Sequence, residues 1–117
     1  MEIVITNNPL VRDRLKGRKI EFYDTDYPGI LTIVRDKIHL GHSLLTHPLS
    51  GSVKPWQTPY KTVIINDEKG TLDGNALSII EESIQTCMKF KINAVKKEWN
   101  AEILADFQLI DYNLILR

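Results

Sequence analysis

The sequence lacks three features that would each define a class of protein. It has one cysteine, Cys87, so no internal disulfide can form. Its 15 Lys and Arg residues are balanced by 15 Asp and Glu residues, whereas a surface that binds phosphates needs a basic excess, so we expect no nucleic-acid partner. Apolar runs such as residues 63–65 are far shorter than the roughly 18 residues that suggest a membrane span, so we expect no membrane segment.

A secretory signal is also missing from the first residues. Glu2 is acidic and the chain soon reaches the polar pair Asn7 and Asn8, whereas a signal begins with basic residues and an apolar stretch. We therefore expect a cytoplasmic protein. The composition is 43% apolar and 26% charged, which excludes a disordered chain. A length of 117 residues predicts one domain over residues 1–117.

Signals for short strands and for helices alternate over the first half of the chain. Runs rich in β-branched or aromatic residues predict strands over residues 2–6 and 19–23, and short runs of consecutive apolar residues predict strands over residues 43–46 and 62–65. Asn8 before Pro9, and Asp26 shortly before Pro28, are helix starts, and Gly17 and Gly41 are stops. The order strand, helix, strand, helix, strand is typical of a parallel sheet. The direction of the fourth strand stays open, because it follows a long loop without a helical pattern.

The second half predicts a long helix. Asp73 is its cap, and apolar residues recur at steps of three or four from Leu77 to Trp99. The tail from Ala101 predicts a short helix and leaves a closing strand open. The expected architecture is therefore α/β: a single-domain three-layer fold with a mostly parallel four-stranded sheet and a long helix in the C-terminal half.

Ligands of such sheets bind beyond the carboxyl ends of the strands, and this rule converts the strand assignment into a candidate site. The loop after residue 46 is the most informative segment, because it is long and combines hydroxyls, a glycine and an ammonium. Such a set predicts a cradle for an anion. The alternative is a surface loop whose hydroxyls make local turns. The predicted ligand-binding residues are Thr6, Asn7, Asn8, Thr46, His47, Ser50, Gly51, Ser52 and Lys54.

His47 is the one good candidate for a general acid or base, since it follows a predicted strand at its carboxyl end. The alternative is a histidine that only hydrogen-bonds its loop. His42 and His47 flank a predicted strand that holds them about 16 Å apart, so we expect no metal site. Cys87 lies in the apolar region of the long helix, where a buried structural thiol is expected. No motif indicates a cofactor.

Four segments carry a resemblance to a known family: residues 6–9, 44–55, 58–61 and 106–108. Together they resemble the GrdX family, and the run Thr-His-Pro-Leu-Ser-Gly-Ser-Val-Lys-Pro from Thr46 is the most specific part. The family is named for small proteins encoded with components of glycine, sarcosine and betaine reductase in amino-acid-fermenting anaerobes. The resemblance implies an accessory protein of that system, with glycine reductase components as partners. It implies no catalytic residue, because the family has none assigned.

Three functions remain open. The first is a small accessory protein that binds an anionic small molecule or a partner at the loop of residues 46–54, with glycine, a related amino acid or acetyl phosphate as ligand. The second is a small enzyme that uses His47 as a general acid or base. The third is an interaction module that docks on a reductase subunit or on a second copy of the chain, since the tail contains many apolar residues for an exposed end: Leu109, Ile110, Leu114 and Ile115.

Overall fold

The structure, a computed structural model, describes residues 2–15, 17–49, 58–92 and 99–115. Seven elements follow one another in these described residues: β1 (Glu2–Thr6), α1 (Pro9–Arg14), β2 (Lys19–Phe22), α2 (Tyr27–His39), β3 (Thr62–Asn66), α3 (Gly74–Ile92) and α4 (Ala101–Ile115). Residues 93–98 of the long helix that the sequence predicted as far as Trp99 lie outside the described residues, and Trp99 itself is not helical. No helix among the described residues has the length and apolar character needed to cross a membrane.

The sheet differs from the one that the sequence predicted. Its described strands are three, in the order β2-β1-β3. β1 pairs with β2 in parallel, with Ile3 opposite Lys19, and with β3 in antiparallel, with Ile3 opposite Ile65. The prediction of a mostly parallel four-stranded sheet is therefore wrong, although the fold is α/β. A connection between parallel strands usually contains a helix, and the described part of the connection from α2 to β3 contains none.

Residues 43–46, the predicted third strand, contribute only one isolated antiparallel bridge, between Leu44 and Ile65. The backbone N–H groups of Leu45 and Thr46 both donate to the carbonyl of Ile64, at 2.9 and 3.2 Å. This doubling interrupts the ladder as a β-bulge does. Pro48, two residues further, has no N–H with which to resume it. The segment therefore lies against β3 without forming a strand.

The two faces of the sheet are covered by different helices, which gives three layers. On one face, the side chains of Ile3, Ile5, Val63 and Ile65 pack with α2 and α3. On the other, Val4 and Ile64 pack with Val11 and Leu15 near α1 and with Ile115 of α4. Because β1 and β3 are covered on both sides, their sequences are apolar at consecutive positions instead of alternating.

The first residues of the helices are capped by polar side chains that lie close to them in the sequence. The Asn8 side chain accepts a hydrogen bond from Leu10 N, and that of Asp26 accepts one from Gly29 N, so both predicted caps are confirmed. Asp73 accepts bonds from Asn75 N and Ala76 N, and the Ser43 hydroxyl donates to its other oxygen at 2.5 Å. The hydrogen bond from Ser43 and those from the backbone lower the pKa of Asp73.

The tail folds as one helix of 15 residues, and the closing strand that the sequence left open is absent from the described part of the tail. The side chain of Asn100 accepts a bond from Ile103 N at 2.9 Å and caps the helix. The less exposed residues of α4 recur at steps of three or four. The ring of Phe107 on α4 meets the ring of Trp99 edge-on, with 5.8 Å between the ring centroids. Burial of one side of this helix outweighs the strand propensity of its Ile and Leu residues.

The turn after α2 is held against a distant turn at Gly41. This residue has φ +104°, and a Cβ placed there would lie 2.4 Å from the carbonyl oxygen of Gly70. The N–H of Gly70 donates to the Gly41 carbonyl at 3.0 Å. Gly17 also has a positive φ, +82°, but a Cβ there would meet no heavy atom within 4 Å. A side chain at Gly17 would therefore meet backbone strain alone, whereas a side chain at Gly41 would meet backbone strain and a steric clash.

We predict that Gly41→Ala destabilises the protein far more than Gly17→Ala. The Gly17 change adds only the strain of a side chain in the left-handed region, about 1 kcal/mol. The Gly41 change adds the same strain and forces the turn away from Gly70, for a total of roughly 3 kcal/mol. Urea unfolding of both variants measures the difference. Equal losses of unfolding free energy would show that the contact between the two turns contributes nothing.

Candidate functional site

Polar side chains are buried where β1 ends. Thr6 and Asn8 are fully buried, and Asn7 is only 6% exposed. Burial of a polar group without a partner costs free energy, so each of these residues needs hydrogen bonds inside the protein. No buried side-chain nitrogen or oxygen of the described residues lacks one. The partners of these residues show which of them have bonding capacity left for a ligand.

Asn7 joins three segments of the chain. Its Nδ2 donates to the carbonyls of Thr25, at 2.8 Å, and of Pro59, at 2.9 Å. Its Oδ1 accepts a bond from the backbone N–H of Lys61 at 2.8 Å. Both amide protons and the carbonyl are therefore engaged. Asn7 positions the start of β3 and the residues before α2.

Asn8 joins β1 to the last helix. Its Oδ1 caps α1, and its Nδ2 donates to the Gln108 carbonyl at 2.9 Å and to Oδ2 of Asp111 at 3.0 Å. The same Oδ2 accepts a short bond of 2.6 Å from the Thr62 hydroxyl. The hydroxyls of Thr6 and Thr62 are 2.7 Å apart. A carboxylate that accepts two bonds in a buried place holds α4 firmly to the end of the sheet.

Lys61 brings a cationic side chain to this region. The residue immediately precedes β3 in the chain, and it is only 3% exposed. Burial lowers its pKa to about 8, while the negative charge of Asp111 acts in the opposite direction. Its Nζ lies 6.0 Å from the centroid of the Tyr27 ring. Burial lowers the pKa because the loss of water destabilises the charged ammonium form more than the neutral amine form.

A small cavity opens beside Lys61 and Asp111. Its other walls come from two tyrosines, a threonine and two aliphatic residues of α4: Tyr27, Thr58, Tyr60, Ile110 and Leu114. Its volume is about 20 Å³, which is room for roughly one water molecule. Gln108 Nε2 donates to the Tyr60 hydroxyl at 2.9 Å, so the proton of that hydroxyl can point elsewhere. Burial is the main cause that raises the pKa of Tyr27.

Thr46 and His47 line a different and larger cavity. Its volume is about 410 Å³, and it lies next to Glu2 and Arg18, which stand near the amino ends of β1 and β2. Thr46 Oγ1 accepts a bond from Ile64 N at 3.0 Å. The exposed ring of His47 accepts one from Leu49 N at its Nδ1, at 3.0 Å. This local bond is the one that a purely structural loop histidine would make.

The structure thus divides the predicted site residues into two groups. Thr6, Asn7 and Asn8 lie together at the carboxyl end of β1, whereas Thr46 and His47 line a cavity that none of those three residues lines. Ser50, Gly51, Ser52 and Lys54 lie outside the described residues. In the part of the chain that the structure describes, no group of three His, Cys, Asp or Glu side chains could hold a metal ion.

Sequence reasoning missed Lys61 and Asp111. A signal existed for Lys61, because a lysine directly before a strand that is apolar on consecutive residues is placed at the edge of a covered sheet. A weaker signal existed for Asp111, which occurs four residues after Phe107 and three before Leu114, on the apolar side of a helical repeat. An acidic residue on the apolar side of a helix is rarely buried unless it has hydrogen-bond or charge partners, so its presence there indicates such partners.

These observations define a small α/β protein with a mixed sheet and a buried lysine and aspartate beside a narrow cavity at one strand end. The family model described as GrdX-like protein matches residues 3–117. The chain therefore belongs to the GrdX-like family, as the resemblance implied. No curated protein matches the chain, and no solved structure does.

We predict that Asn8→Asp unfolds or strongly destabilises the protein, whereas Asn100→Asp does not. Both asparagines cap a helix, and aspartate caps equally well. At Asn8, however, the new carboxylate faces Asp111 and the Gln108 carbonyl, and the loss of the amide donor there costs about 3 kcal/mol or more. Urea unfolding at neutral pH compares the two variants. If both lose the same small amount, Asn8 acts only as a cap.

The lowered pKa of Lys61 predicts a pH dependence of stability. Between about pH 8 and the ordinary value of 10.5, the unfolded chain binds more protons at Lys61 than the folded protein does. The free energy of unfolding therefore rises with pH in this window, by roughly 3 kcal/mol in total. Lys61→Met removes this gain.

The measurement is the difference in unfolding free energy between the wild type and Lys61→Met at several pH values. We expect the wild type to gain relative to the variant from pH 8 to 10.5. The same difference taken with Lys69→Met, at an exposed lysine, is the control for general effects of charge. A flat difference curve for Lys61 would contradict the lowered pKa.

Proposed function

We propose that this GrdX-like protein is a cytoplasmic accessory protein of the glycine reductase system, and that it binds a small charged molecule at the carboxyl end of β1. The proposed ligand is glycine or a related amino acid, held between Lys61 and Asp111. The observation that carries the proposal is the buried pair of opposite charges beside a cavity. Buried charges are costly unless compensated, and ligand sites are a common reason to keep them.

A zwitterion matches this pair in both of its charges. Its carboxylate would face the Lys61 ammonium, and its ammonium would face the Asp111 carboxylate. The hydroxyl of Tyr60 can donate a hydrogen bond to the carboxylate, because it already accepts one from Gln108. The aliphatic Ile110 and Leu114 exclude water from the charged groups, which strengthens their interaction with a ligand.

The cavity must widen to admit even glycine, because its volume is about 20 Å³. Ile110 forms part of its wall and is 45% exposed, so its side chain can turn outward without breaking a packed core. Leu114 is next to it on the same side of α4. We therefore expect binding to move the end of α4 only slightly.

We predict that glycine raises the melting temperature more than either of its charged halves, acetate and methylamine, at the same concentration. A ligand at ~100 times its Kd adds roughly 2.7 kcal/mol of stability, a shift on the order of 10 °C. Acetyl phosphate serves as the anion without an ammonium. A larger shift with acetyl phosphate than with glycine would favour the anionic ligand that the sequence also predicted.

Variants locate the ligand. Lys61→Met is expected to abolish the shift, and Lys69→Met to leave it unchanged. Lys54→Met tests the predicted loop of residues 46–54 instead: loss of binding there, with Lys61→Met unaffected, would assign the ligand to the loop. The absence of a shift with all four compounds in the wild type would reject small-molecule binding of this kind.

The predicted interaction with a second copy of the chain remains open as a second candidate. Of the tail residues that suggested it, Ile115 is buried within the protein, whereas Leu109 and Ile110 are 46% and 45% exposed. The fold therefore explains part of the apolar tail, and the remainder supports self-association only through these exposed residues of α4 and their neighbour Ile103. Light scattering that reports a monomer would remove the homodimer.

A further inference from the structure

We infer that Lys61 is a nucleophilic lysine that forms an imine with a short aliphatic aldehyde in the cavity beside it. The inference goes beyond the proposed function, and it depends on that function only in requiring that the same cavity admit a small molecule. It rests on where the amine lies: on a strand end, almost completely buried, among two tyrosines, an aspartate and two aliphatic side chains.

The surroundings suit an amine that reacts as well as one that binds. A lysine attacks a carbonyl only in its neutral form, and enzymes that use such lysines place them where water is excluded. Burial lowers the pKa of Lys61 to about 8. At neutral pH, therefore, a far larger fraction of it is neutral than in a lysine with the ordinary value of 10.5.

The charges of the site favour an aldehyde without a charge of its own. The positive charge of the ammonium is retained in the protonated imine, so Asp111 keeps a cation beside it before and after the reaction. An α-oxo acid would add a carboxylate, which Asp111 repels. The side chains of Ile110 and Leu114 and the ring of Tyr27 offer apolar walls for the carbon chain of the aldehyde.

The reaction balances without an oxidant or a reductant. The nitrogen of Lys61 forms a bond to the aldehyde carbon, and the bond between that carbon and its oxygen breaks. The oxygen leaves as water with two protons that come from the lysine ammonium, and the protonated imine keeps the single positive charge. Asp111 lines the cavity beside the amine and can carry a proton from the nitrogen to the departing oxygen.

Reductive trapping tests the inference on the full chain. The protein is incubated at pH 7.5 with acetaldehyde and sodium cyanoborohydride, which converts an imine to a stable ethyl-lysine, and the modified lysines are located by peptide mass spectrometry. We expect Lys61 to be modified at least tenfold faster than the exposed Lys69, although it is buried. Glyoxylate, the charged comparison, is expected to modify Lys61 several-fold more slowly than acetaldehyde does.

Two variants sharpen the result. Asp111→Asn removes the group that carries a proton to the departing oxygen, and we expect this loss to slow the modification of Lys61 more than the further lowering of the lysine pKa speeds it, while Lys69→Met leaves its rate unchanged. Circular dichroism of each variant shows whether it is folded. If Asp111→Asn is not, the second readout is Tyr60→Phe, which removes a hydroxyl that can donate a hydrogen bond to the aldehyde oxygen and is therefore expected to slow the modification of Lys61. Modification of Lys61 no faster than of Lys69 in the wild type would overturn the inference.

The experiment also separates this inference from the proposed function. If glycine stabilises the protein and slows the trapping at Lys61, both share the cavity and both stand. If glycine stabilises the protein but acetaldehyde does not modify Lys61, the imine is rejected and amino-acid binding stands. If acetaldehyde modifies Lys61 and glycine has no effect, the imine stands and amino-acid binding is rejected.

Discussion

The carboxylate of Asp111 determines how the last helix joins the sheet. It accepts hydrogen bonds from Thr62 of β3 and from Asn8 at the start of α1, at 2.6 and 3.0 Å. The residues Ile103, Leu109 and Ile110 of α4 are all more than a third exposed, so the apolar packing of this helix on the sheet comes from its other side, which includes Ile115. A buried network of this kind is stabilising only when every member is satisfied. The position of α4 therefore depends on the two hydrogen bonds of Asp111 as well as on the apolar packing of Ile115.

The burial of Lys61 depends on that same attachment. The cavity beside Lys61 has one wall from α4, namely Ile110, Asp111 and Leu114, and another from the start of α2 and the residues before β3. If α4 moved away, the ammonium would face water, its pKa would return toward the ordinary value, and the pair of charges would lose its low-dielectric surroundings. The structural network and the candidate site are consequently one unit, joined through Asp111.

Local signals were sufficient to predict most of the elements but not their arrangement. The strand of residues 2–6, the caps at Asn8 and Asp26, and the long third helix as far as Ile92 depend on neighbouring residues, so the sequence predicted them correctly. The segment of residues 43–46 was predicted as a strand, yet its pairing is limited by Pro48 and by the two hydrogen bonds to the carbonyl of Ile64, which only the partner strand reveals. The direction of β3 likewise depends on a path across the molecule.

The candidate site was predictable to the same partial extent. The rule for the carboxyl ends of strands located Thr6, Asn7 and Asn8, because it needs only the strand boundaries. It could not supply Asp111, whose bonds reach partners 49 and 103 residues away in the sequence. The structure also changes the role of the asparagines: Asn7 uses both amide protons and its carbonyl within the protein, so it orients the site and has little left to offer a ligand.

The charges of Lys61 and Asp111 determine whether the cavity favours an anion or a zwitterion as its ligand. An anion brought beside Lys61 would be attracted by the ammonium but would place a second negative charge near Asp111, and both negative charges would be shielded from water. In such surroundings an uncompensated charge is strongly unfavourable. A molecule that brings a positive charge for Asp111 together with its negative charge, or a neutral one that leaves the pair intact, avoids this cost. The two opposite charges of Lys61 and Asp111 therefore restrict the choice of ligand more than the size of the cavity does, because the cavity can widen when one side chain of α4 turns outward.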